Sequence, residues 1–405
     1  MIETKFRNTG SHIIPSDWEE GCLEHYTSKI GSGATPTGGE ASYKEEGISL
    51  IRSLNVYNDG FKYDRLAHIN KEQAAELDNV SIEEGDVLVN ITGASVARCC
   101  VVPDNILPAR VNQHVSIIRT NKDTLNYKFL WYLLTSPLFQ KELIALSKGN
   151  GGTREALTKK QLQDFLITLP SSSDEQSCIA KALSDVDYLI STTKRLIEKK
   201  RNIKLGAMKE LLHGHHRLPG FSDKWIETTL GSICEITMGQ SPSSEFYNTK
   251  GDGLPLIQGN ADMENRKSIV RFYSSSYTKF CDAGDIIMSV RAPVGSVGRA
   301  QHRSCLGRGV CALKYNNDFL FHYLISIENS WSSLSSGSIF DSINSKELAE
   351  TTVLIPQSNE EQQAIALILS DMDSEISSLE SRLIKYQSLK QGMMQQLLTG
   401  KIRLI

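Results

Sequence analysis

The sequence of 405 residues predicts an α+β protein in which two similar globular domains alternate with two long helices. A helical segment, 170–218, recurs at 356–404 with a constant offset of 186 residues. Both copies carry an apolar heptad pattern, and the regions that precede them share fainter motifs. The predicted segments are a first domain at 1–169, a first helix at 170–217, a second domain at 218–355 and a second helix at 356–405.

The two copies of the helical segment are alike enough to show an internal repeat, because about 21 of their 49 positions are identical without a gap. Pro170 and Pro356 sit just before the two helices, and Gly214 and Gly400 stand where the helices should stop. Each copy is predicted to form one helix of about 38 residues, which would be about 57 Å long.

The apolar residues of both copies are spaced by alternating steps of four and three residues, as in a coiled coil. The stripe begins at Ile179 in the first copy and at Ile365 in the second. Two such stripes in one chain are predicted to pack on each other, since two unrelated surface helices would leave both stripes unburied. The predicted interface residues are Leu183, Val186, Ile190, Ile197, Leu369, Met372, Ile376, Leu379 and Leu383.

The two globular regions share a pattern of short apolar runs bounded by Gly, Asp and Pro, which indicates strands. The predicted strands are 88–91, 99–102, 115–118 and 286–290, and the predicted helices are 127–134 and 319–325. The polar residues around this shared frame differ: Arg52 corresponds to Gln258, and Thr92 corresponds to Arg291. One scaffold that carries two different polar surfaces suits a protein that recognises two different targets.

Composition excludes several classes of protein. With 44 basic and 47 acidic residues the net charge is −3, and 40% of residues are hydrophobic, which is typical of a globular protein. No apolar run approaches the length of about 20 residues that crosses a bilayer, and the start has no signal-peptide pattern. Eight cysteines without a C-x-x-C pair favour a reduced, cytoplasmic protein over a disulfide framework or a zinc module.

Basic residues cluster locally although no domain is strongly basic. No acid lies between Asp285 and Asp318, and none lies between Asp104 and Asp123. The cations in these two windows are Arg291, Arg299, Arg303, Arg308 and Lys314, and Arg110, Arg119 and Lys122. Bound phosphates would relieve the repulsion within such a cluster, which favours a nucleic-acid contact. For any single residue, the alternative is that it lies on an ordinary solvated face.

Motifs for catalysis are absent from the sequence. It contains no P-loop, no Asn-Pro-Pro-aromatic signature of an amino-group methyltransferase, no dinucleotide fingerprint and no nucleophile elbow. His213, His215 and His216 cluster at the end of the first helix, where helix capping and solvent exposure are favoured over a metal site. The sequence therefore favours a binding or assembly protein.

The repeated motifs resemble those of the specificity subunit of Type I restriction–modification systems, and the resemblance covers essentially the whole chain. Pro15 with Trp18 and Pro219 with Trp225 open the domains. The remaining motifs lie at the helix ends: Pro170 with Glu175-Gln176, Pro356 with Glu361-Gln362, Leu211-Leu212-His213-Gly214 and Leu397-Leu398-Thr399-Gly400. The globular regions match the family more weakly than the duplicated helix does.

The resemblance implies that each globular half is a target recognition domain that reads a few base pairs of duplex DNA. The helices would form an antiparallel coiled coil, and the target would be bipartite with an unread spacer. Two methyltransferase subunits with S-adenosylmethionine would methylate adenine, and restriction subunits would hydrolyse ATP with Mg and cut DNA. This chain would hold no cofactor and no catalytic residue, and would choose the sequence.

Arg, Lys, Asn and Gln on loops or strand ends are the residues that reach base edges in the major groove. Asn112-Gln113-His114 could instead be a turn that caps the following strand, and Trp18 and Trp225 are predicted to be core anchors. The candidate DNA-contacting residues are Arg52, Lys62, Asn90, Thr92, Arg98, Arg110, Asn112, Gln113, His114 and Arg154 in the first domain, and Gln258, Asn260, Arg266, Lys267, Arg291, Arg299, Arg303 and Arg308 in the second.

Two alternatives remain open at this stage. One is a structural protein in which the coiled coil scaffolds a complex and the globular halves bind proteins. The other is a specificity subunit that serves a defence methyltransferase without a nuclease. A lack of sequence-specific duplex binding by the assembled complex would favour the first alternative. The identity of the co-purifying subunits would distinguish the second alternative from a complete restriction–modification system.

Overall fold

A computed structural model of the chain describes residues 5–148, 155–331 and 342–404. The chain divides into two compact units. The first unit comprises residues 1–192 and 383–405, and the second comprises residues 193–382. Each unit therefore combines one globular region with parts of both long helices.

The first globular region and the helix that follows it contain short strands and five helices in the described residues. The helices are α1 (Lys71–Glu76), α2 (Tyr127–Thr135), α3 (Pro137–Lys148), α4 (Lys159–Gln163) and α5 (Ser173–Leu211). The strands are β1 (Phe6–Asn8), β2 (Ile13–Pro15), β3 (Trp18–Cys22), β4 (Thr27–Ser32), β5 (Ile48–Ile51), β6 (Val56–Tyr57), β7 (Gly60–Phe61), β8 (Ala67–Ile69), β9 (Val87–Asn90), β10 (Cys99–Val101), β11 (Ala109–Val111), β12 (Val115–Thr120) and β13 (Leu166–Pro170).

The centre of the first unit is an antiparallel sheet with the strand order β10-β9-β12-β4. Alternate residues of β9 face opposite ways, so that Val87 and Val89 join the cluster that includes α2, whereas Leu88 joins a second cluster. That second cluster includes residues of the sheet β11-β5-β8. Both faces of β9 are therefore buried, which explains its uninterrupted apolar sequence.

The second globular region repeats this plan in the described residues. Its helices are α6 (Leu230–Ile233), α7 (Phe319–Ser326) and α8 (Ser345–Glu350), and the second long helix is α9 (Asn359–Leu397). The strands are β14 (Trp225–Thr229), β15 (Glu235–Met238), β16 (Tyr247–Asn248), β17 (Leu254–Ile257), β18 (Met263–Glu264), β19 (Lys267–Ser268), β20 (Phe272–Ser274), β21 (Phe280–Cys281), β22 (Ile286–Ser289), β23 (Val297–Arg299), β24 (Ser304–Leu306), β25 (Val310–Lys314) and β26 (Thr352–Pro356).

The central sheet of the second unit has the order β15-β25-β22-β23-β19-β18, and a second sheet has the order β16-β20-β17-β24-β21. Ile286 and Met288 of β22 face the cluster that contains α7, whereas Ile287 faces the cluster of the second sheet. The strand β22 thus matches β9. The predicted fold class, an α+β protein with two similar globular regions and two long helices, is confirmed.

The predicted elements agree with the structure to within a few residues at their ends. The predicted helices at 127–134 and 319–325 are α2 and α7, and the predicted strands are β9, β10, β12 and β22. Both long helices contain 39 residues. Gly214 and Gly400 follow their ends with φ angles of 70° and 67°, a backbone conformation that favours glycine at a helix C-terminus.

The long helices pack antiparallel through apolar stripes. The stripe residues Leu183, Val186, Ile197, Leu369, Ile376 and Leu379 are buried, and Ile190, Met372 and Leu383 are half-buried. Ion pairs show the direction: in the second unit Lys204 Nζ lies 2.5 Å from Asp373 Oδ1, and Arg201 Nη2 lies 2.5 Å from Glu380 Oε1. In the first unit Lys390 Nζ lies 2.7 Å from Asp187 Oδ1.

Equivalent buried ion pairs close the ends of the two long helices. In the first unit Arg403 Nε donates to the buried Glu175 carboxylate at 2.6 Å, and Arg403 also pairs with Asp17 at 2.7 Å. In the second unit Arg217 Nε donates to the buried Glu361 at 2.7 Å. These pairs join residues that the sequence repeat places in equivalent positions.

Replacing Arg403 with Met should lower the free energy of unfolding of the first unit by about 3 kcal/mol, because the Glu175 carboxylate would stay buried without its partner. Lys181→Met is the matched control, since Lys181 and Asp185 form an exposed pair worth less than about 1 kcal/mol. Denaturant unfolding of both variants measures the difference. Equal losses in the two variants would contradict the assigned role of Arg403.

Candidate nucleic-acid interface

One end of the central sheet in the first unit brings together several of the predicted DNA-contacting residues. Asn90, the last residue of β9, pairs with Val115, the first residue of β12, and Ser116 pairs with Ser32 at the end of β4. The loops that follow β9 and precede β12 therefore meet at this end. We call Thr92, Gln113 and His114 the first strand-end surface.

The three side chains of the first strand-end surface are connected by hydrogen bonds. Thr92 Oγ1 lies 2.7 Å from His114 Nδ1, and Gln113 Nε2 lies 3.1 Å from His114 Nε2. Gln113 is exposed, and Thr92 and His114 are half-buried. The buried Asn112 accepts a hydrogen bond from His114 N at 3.0 Å, so Asn112 shapes the turn.

The same sheet end in the second unit carries different side chains. Ser289 of β22 pairs with Val310 of β25, so that the loop after β22 meets the turn 307–309. We call Gln258, Arg291 and Arg308 the second strand-end surface. Gly307 N donates to Ile257 O at 2.7 Å, which places Gln258 next to this turn. Asn260 follows on an exposed turn.

Thr92 and Arg291 occupy equivalent backbone positions in the two surfaces. Thr92 forms an isolated backbone bridge with Ala156, and Arg291 forms one with Ser342. Arg291 and Arg308 are exposed, and within residues 5–148, 155–331 and 342–404 their guanidinium groups have no ion-pair partner. Arg154, another predicted contact residue, lies outside the described residues.

Besides Asn112, two further predicted contact residues of the first domain are buried, and their side chains stabilise the fold. Asn90 is fully buried, and its Nδ2 donates to Ser53 O at 2.9 Å. Arg110 is also buried, where its Nε donates to Ala74 O at 3.1 Å and its Nη2 donates to Asp78 Oδ1 at 2.5 Å. DNA contact by these two residues remains a prediction, and the structure gives each of them structural partners.

A group of cations around Tyr57 lies beside the first strand-end surface. The Arg98 guanidinium lies 4.7 Å from the Tyr57 ring centroid, and Lys62 Nζ lies 5.7 Å from it. Asn90 N donates to Arg98 O at 2.8 Å, so Arg98 belongs to the loop at this sheet end. Sequence reasoning did not single out Tyr57, although an aromatic residue in a tight turn near Lys62 was a visible signal.

Arg52 lies apart from this group. Its guanidinium lies 5.1 Å from the Tyr43 ring centroid, and its Nη2 donates to Arg65 O at 2.7 Å. The exposed Glu40 carboxylate lies 3.3 Å from its Nη1. Arg52 thus ties two loops together, whereas Gln258, its counterpart in the second domain, donates from Nε2 to Tyr247 Oη at 3.0 Å.

The expectation that the cations between Asp285 and Asp318 lack counter-charges is wrong for three of the five. Arg299 Nη2 lies 2.5 Å from Asp318 Oδ1. Arg303 and Lys314 both lie within 4 Å of Asp282 oxygens, at 3.8 and 3.7 Å. The acids lie at or beyond the ends of the sequence window, and folding brings them to the cations.

The other predicted residues of the second domain lie away from the strand-end surface. Arg266 makes two hydrogen bonds with the Glu328 carboxylate, at 2.8 and 2.7 Å. Arg299 stacks 4.4 Å from the Phe321 ring centroid and is paired with Ile286 at the opposite end of β22 from Arg291. Burial lowers the pKa of Arg299 from its ordinary value. Lys267 is exposed on β19.

The first domain shows the same effect in its own acid-free window. The Arg119 guanidinium makes two hydrogen bonds of 2.8 Å with the buried Asp86 carboxylate and also contacts Glu83. The hydrogen bonds that Arg119 donates to Asp86 raise the pKa of Arg119 above its ordinary value. This cation therefore stabilises the sheet and does not contribute to a surface of unpaired charge.

Within the described part of the chain no group of three or more His, Cys, Asp and Glu residues could hold a metal ion. The His213 and His215 ring centroids are 6.3 Å apart, and His213 Nε2 lies 3.4 Å from Ser326 Oγ. Burial lowers the pKa of His213. None of the helices in the described ranges combines the length and apolarity that spanning a membrane requires.

A family model described as the Type I restriction modification DNA specificity domain matches this chain twice, over residues 15–200 and 222–386. Together the two matches cover most of the chain. The chain belongs to this family. Each match includes one globular region and most of the long helix that follows it, so the family repeat and the structural repeat coincide.

Individual proteins of known sequence or structure agree with this assignment. The "Putative type I restriction enzyme MjaX specificity subunit" of Methanocaldococcus jannaschii is 30% identical over 99% of this chain and 97% of its own length. The type I restriction enzyme MjaVIII specificity subunit of the same organism is 25% identical over 99% of this chain and 96% of its length.

Two solved structures share the fold. The S subunit of a Type I restriction–modification system from M. genitalium gives a TM-score of 0.65 at 17% identity, with 97% of both chains covered. A chain from a study of complex assembly and conformational transition of the type I R-M system gives a TM-score of 0.59 at 24% identity. The latter match covers 96% of this chain and 99% of the other.

Proposed function

We propose that this chain reads two short segments of double-stranded DNA and directs adenine methylation and restriction to the bipartite sequence that they form. The observation that carries the proposal is the pair of strand-end surfaces. The equivalent end of the central sheet presents Thr92, Gln113 and His114 in one unit, and Arg291 and Arg308 with the neighbouring Gln258 in the other. A shared frame with different exposed polar groups suits the reading of two different half-targets.

The chemistry of these surfaces fits the major groove of DNA. Gln and Arg side chains pair with base edges through two hydrogen bonds at once, and such contacts carry sequence information. Arg98, stacked on Tyr57 and without an acidic partner in the described ranges, can contact the phosphate backbone beside the first surface. The chain as a whole carries a net charge of −3, so partner subunits are expected to supply part of the phosphate contact.

The partners in this proposal are two methyltransferase subunits and restriction subunits. The methyltransferase subunits would bind S-adenosylmethionine, and the restriction subunits would bind ATP and Mg. This chain would choose the sequence and take no part in catalysis, in the cytoplasm where its duplex substrate lies. The internal repeat supports two copies of the methyltransferase subunit, because each globular region with its part of the helices repeats the same frame.

Mapping DNA methylation in a host with and without this chain tests the proposal. The methyltransferase subunit is expressed in both strains, and we expect methylated adenines at one bipartite sequence only in the strain that has the chain. The purified chain alone should neither methylate nor cut DNA. A methylation pattern independent of the chain, or methyl transfer by the chain alone, would refute the proposal.

Arg291→Ala should weaken specific binding by the assembled complex, whereas Arg299→Ala should leave specificity unchanged. A base contact by Arg291 would be worth about 1–3 kcal/mol and would relax one position of the target. Arg299 is the matched control because it pairs with Asp318 at the opposite end of the same sheet. Binding titrations on a panel of duplexes at several salt concentrations measure both effects.

A phosphate contact by Arg291 would give a different signature. Binding to all sequences would then weaken alike, and the salt dependence of binding would become less steep. Unchanged affinity and salt dependence in Arg291→Ala would show that this side chain belongs to a plain solvated face.

A further inference from the structure

Gln113 and Arg308 occupy the same position on equivalent turns. The turn at 112–114 closes with Val115 N donating to Asn112 O at 3.2 Å, and the turn at 307–309 closes with Val310 N donating to Gly307 O at 3.2 Å. Each turn is also anchored to the other sheet of its unit. Asn112 N donates to Ile51 O of β5 at 3.0 Å, and Gly307 N donates to Ile257 O of β17 at 2.7 Å. Each turn therefore presents its middle side chain on a fixed backbone.

The neighbours of Gln113 determine which of its hydrogen-bonding groups are available. An amide nitrogen has no acceptor capacity, so Gln113 Nε2 donates to His114 Nε2 across the 3.1 Å contact. His114 then carries its proton on Nδ1 and donates it to Thr92 Oγ1 at 2.7 Å. This relay leaves Gln113 with one N–H donor and its carbonyl acceptor, side by side on an exposed amide.

That remaining pair of groups matches one base. Adenine presents N7 as an acceptor and its N6 amino group as a donor in the major groove, and the Gln amide complements both at once. Guanine presents two acceptors, N7 and O6, and would leave the Gln carbonyl opposite an acceptor. The hydrogen bond from Gln113 to His114 orients the amide before DNA binds, so less freedom is lost on binding.

Arg308 offers hydrogen-bond donors alone, which suits the two acceptors of guanine. Its guanidinium has no ion-pair partner in the described ranges, and it can only donate. The flanking Gly307 and Gly309 lie so close to Gln258 that a Cβ at Gly309 would approach Gln258 O to 2.2 Å. Arg308 N also donates to Ser241 Oγ at 3.0 Å, so the backbone beneath the guanidinium is held on both sides.

We propose that Gln113 reads an adenine in the first half-target and that Arg308, at the equivalent position, reads a guanine in the second. The inference rests on the proposed function of the strand-end surfaces and names the base chemistry that each one recognises. His114 and Thr92 are positioning residues, because they act on DNA through the orientation of Gln113.

Exchanging the two side chains tests the proposal in the assembled complex with its methyltransferase subunits. Gln113→Arg should change the preference at one position of the first half-target from adenine to guanine, and Arg308→Gln should change one position of the second from guanine to adenine. Each change should amount to about 5- to 150-fold in relative affinity, which corresponds to about 1–3 kcal/mol. The measurement is competitive binding to duplexes that carry each base at each position of the target.

Three further variants keep the result interpretable. Gln113→Met removes both polar groups at nearly constant length, and His114→Phe keeps a ring but removes the acceptor that holds Gln113. Both should reduce the adenine preference at that one position while the second half-target is read as before. Gln301→Arg is the control for an added cation, since Gln301 is exposed and follows β23 at the other end of the sheet.

The possible outcomes distinguish a failure of this inference from a failure of the proposed function. Changes of base preference that are confined to one position in each half-target support the inference. If Gln113→Arg and Gln113→Met bind with the wild-type base preferences while the wild-type complex reads a bipartite sequence, the inference is overturned and the proposed function stands. If the wild-type complex shows no sequence preference on the same duplexes, the proposed function fails. Unchanged recognition of the second half-target in each Gln113 variant serves as the control for folding.

Discussion

Replacing residues 219–355 with the corresponding domain of another family member should change one half of the recognised sequence and leave the other half intact. These residues lie wholly within the second unit, whereas the first strand-end surface lies wholly within the first. The replaced segment begins before β14 and ends near the close of β26, and these strands pair with each other over five residues. The domain would therefore bring its own closing sheet.

The exchange should succeed only if the new domain fits the long helices. Leu320 and Leu324 of α7 share one buried cluster with Met208 of α5 and with Ile365 and Leu369 of α9. A donor domain with apolar residues at the positions of Leu320 and Leu324 should preserve this contact. A donor with polar residues there is the matched control, and it should lose solubility or assembly without showing a new specificity.

Methylation mapping of the exchanged protein measures the result. One new half-sequence beside one original half-sequence is expected, with the same number of base pairs between them. If both halves changed together, or neither did, the assignment of one half-target to each unit would be wrong.

The helices and the buried strands could be predicted because their signals are local. The heptad pattern in 170–217 and 356–405 and the apolar run that became β9 each depend on residues that are neighbours along the chain. Gly214 and Gly400 are equally local, since a helix end with positive φ favours glycine whatever the rest of the fold does.

The candidate site could be predicted only in part, because burial and ion pairing depend on residues far apart in sequence. Arg119 and Asp86 are 33 positions apart, and Arg110 is covered by the backbone of α1, more than 30 positions earlier. Asn90 is a polar residue at a strand end, which is a reasonable position for a DNA contact. The hairpin that begins at β6 covers it, and no local pattern indicates that contact.

At the turn 307–309 the sequence contains a visible pattern, but its role can be interpreted only with the fold. Arg308 between two glycines is visible in the sequence. Only the structure shows that Gly307 and Gly309 pack against Gln258 and that Arg308 occupies the position of Gln113. The equivalence of these two residues follows from backbone hydrogen bonds and not from similarity of side chains.

The length of the coiled coil should set the number of unread base pairs between the two half-targets. Both long helices contribute residues to both units, so we expect a change in helix length to change the spacing of the two half-targets. A helix of 39 residues is about 58 Å long at about 1.5 Å per residue. Proteins that bind two half-sites fix their spacing through the protein between them.

Four residues inserted into α5 between Lys199 and Lys204 should therefore lengthen the spacer by one or two base pairs while both half-sequences stay the same. The insertion adds about 6 Å of helix, and base pairs of B-DNA are about 3.4 Å apart. Four residues are just over one helical turn, so the apolar stripe stays roughly in phase with α9. Ion pairs such as Lys204 with Asp373 would have to re-form one turn away, which should reduce stability slightly.

Methylation mapping of this variant measures the spacer directly. The same four residues inserted in the exposed turn between Gly251 and Asp252 form the control, since this turn joins β16 to β17 and adds no helix. The control should keep the original spacer. An active α5 variant that also kept it would show that the coiled coil is not the ruler, because the helix would then be longer while the distance between the two half-targets on DNA had not changed.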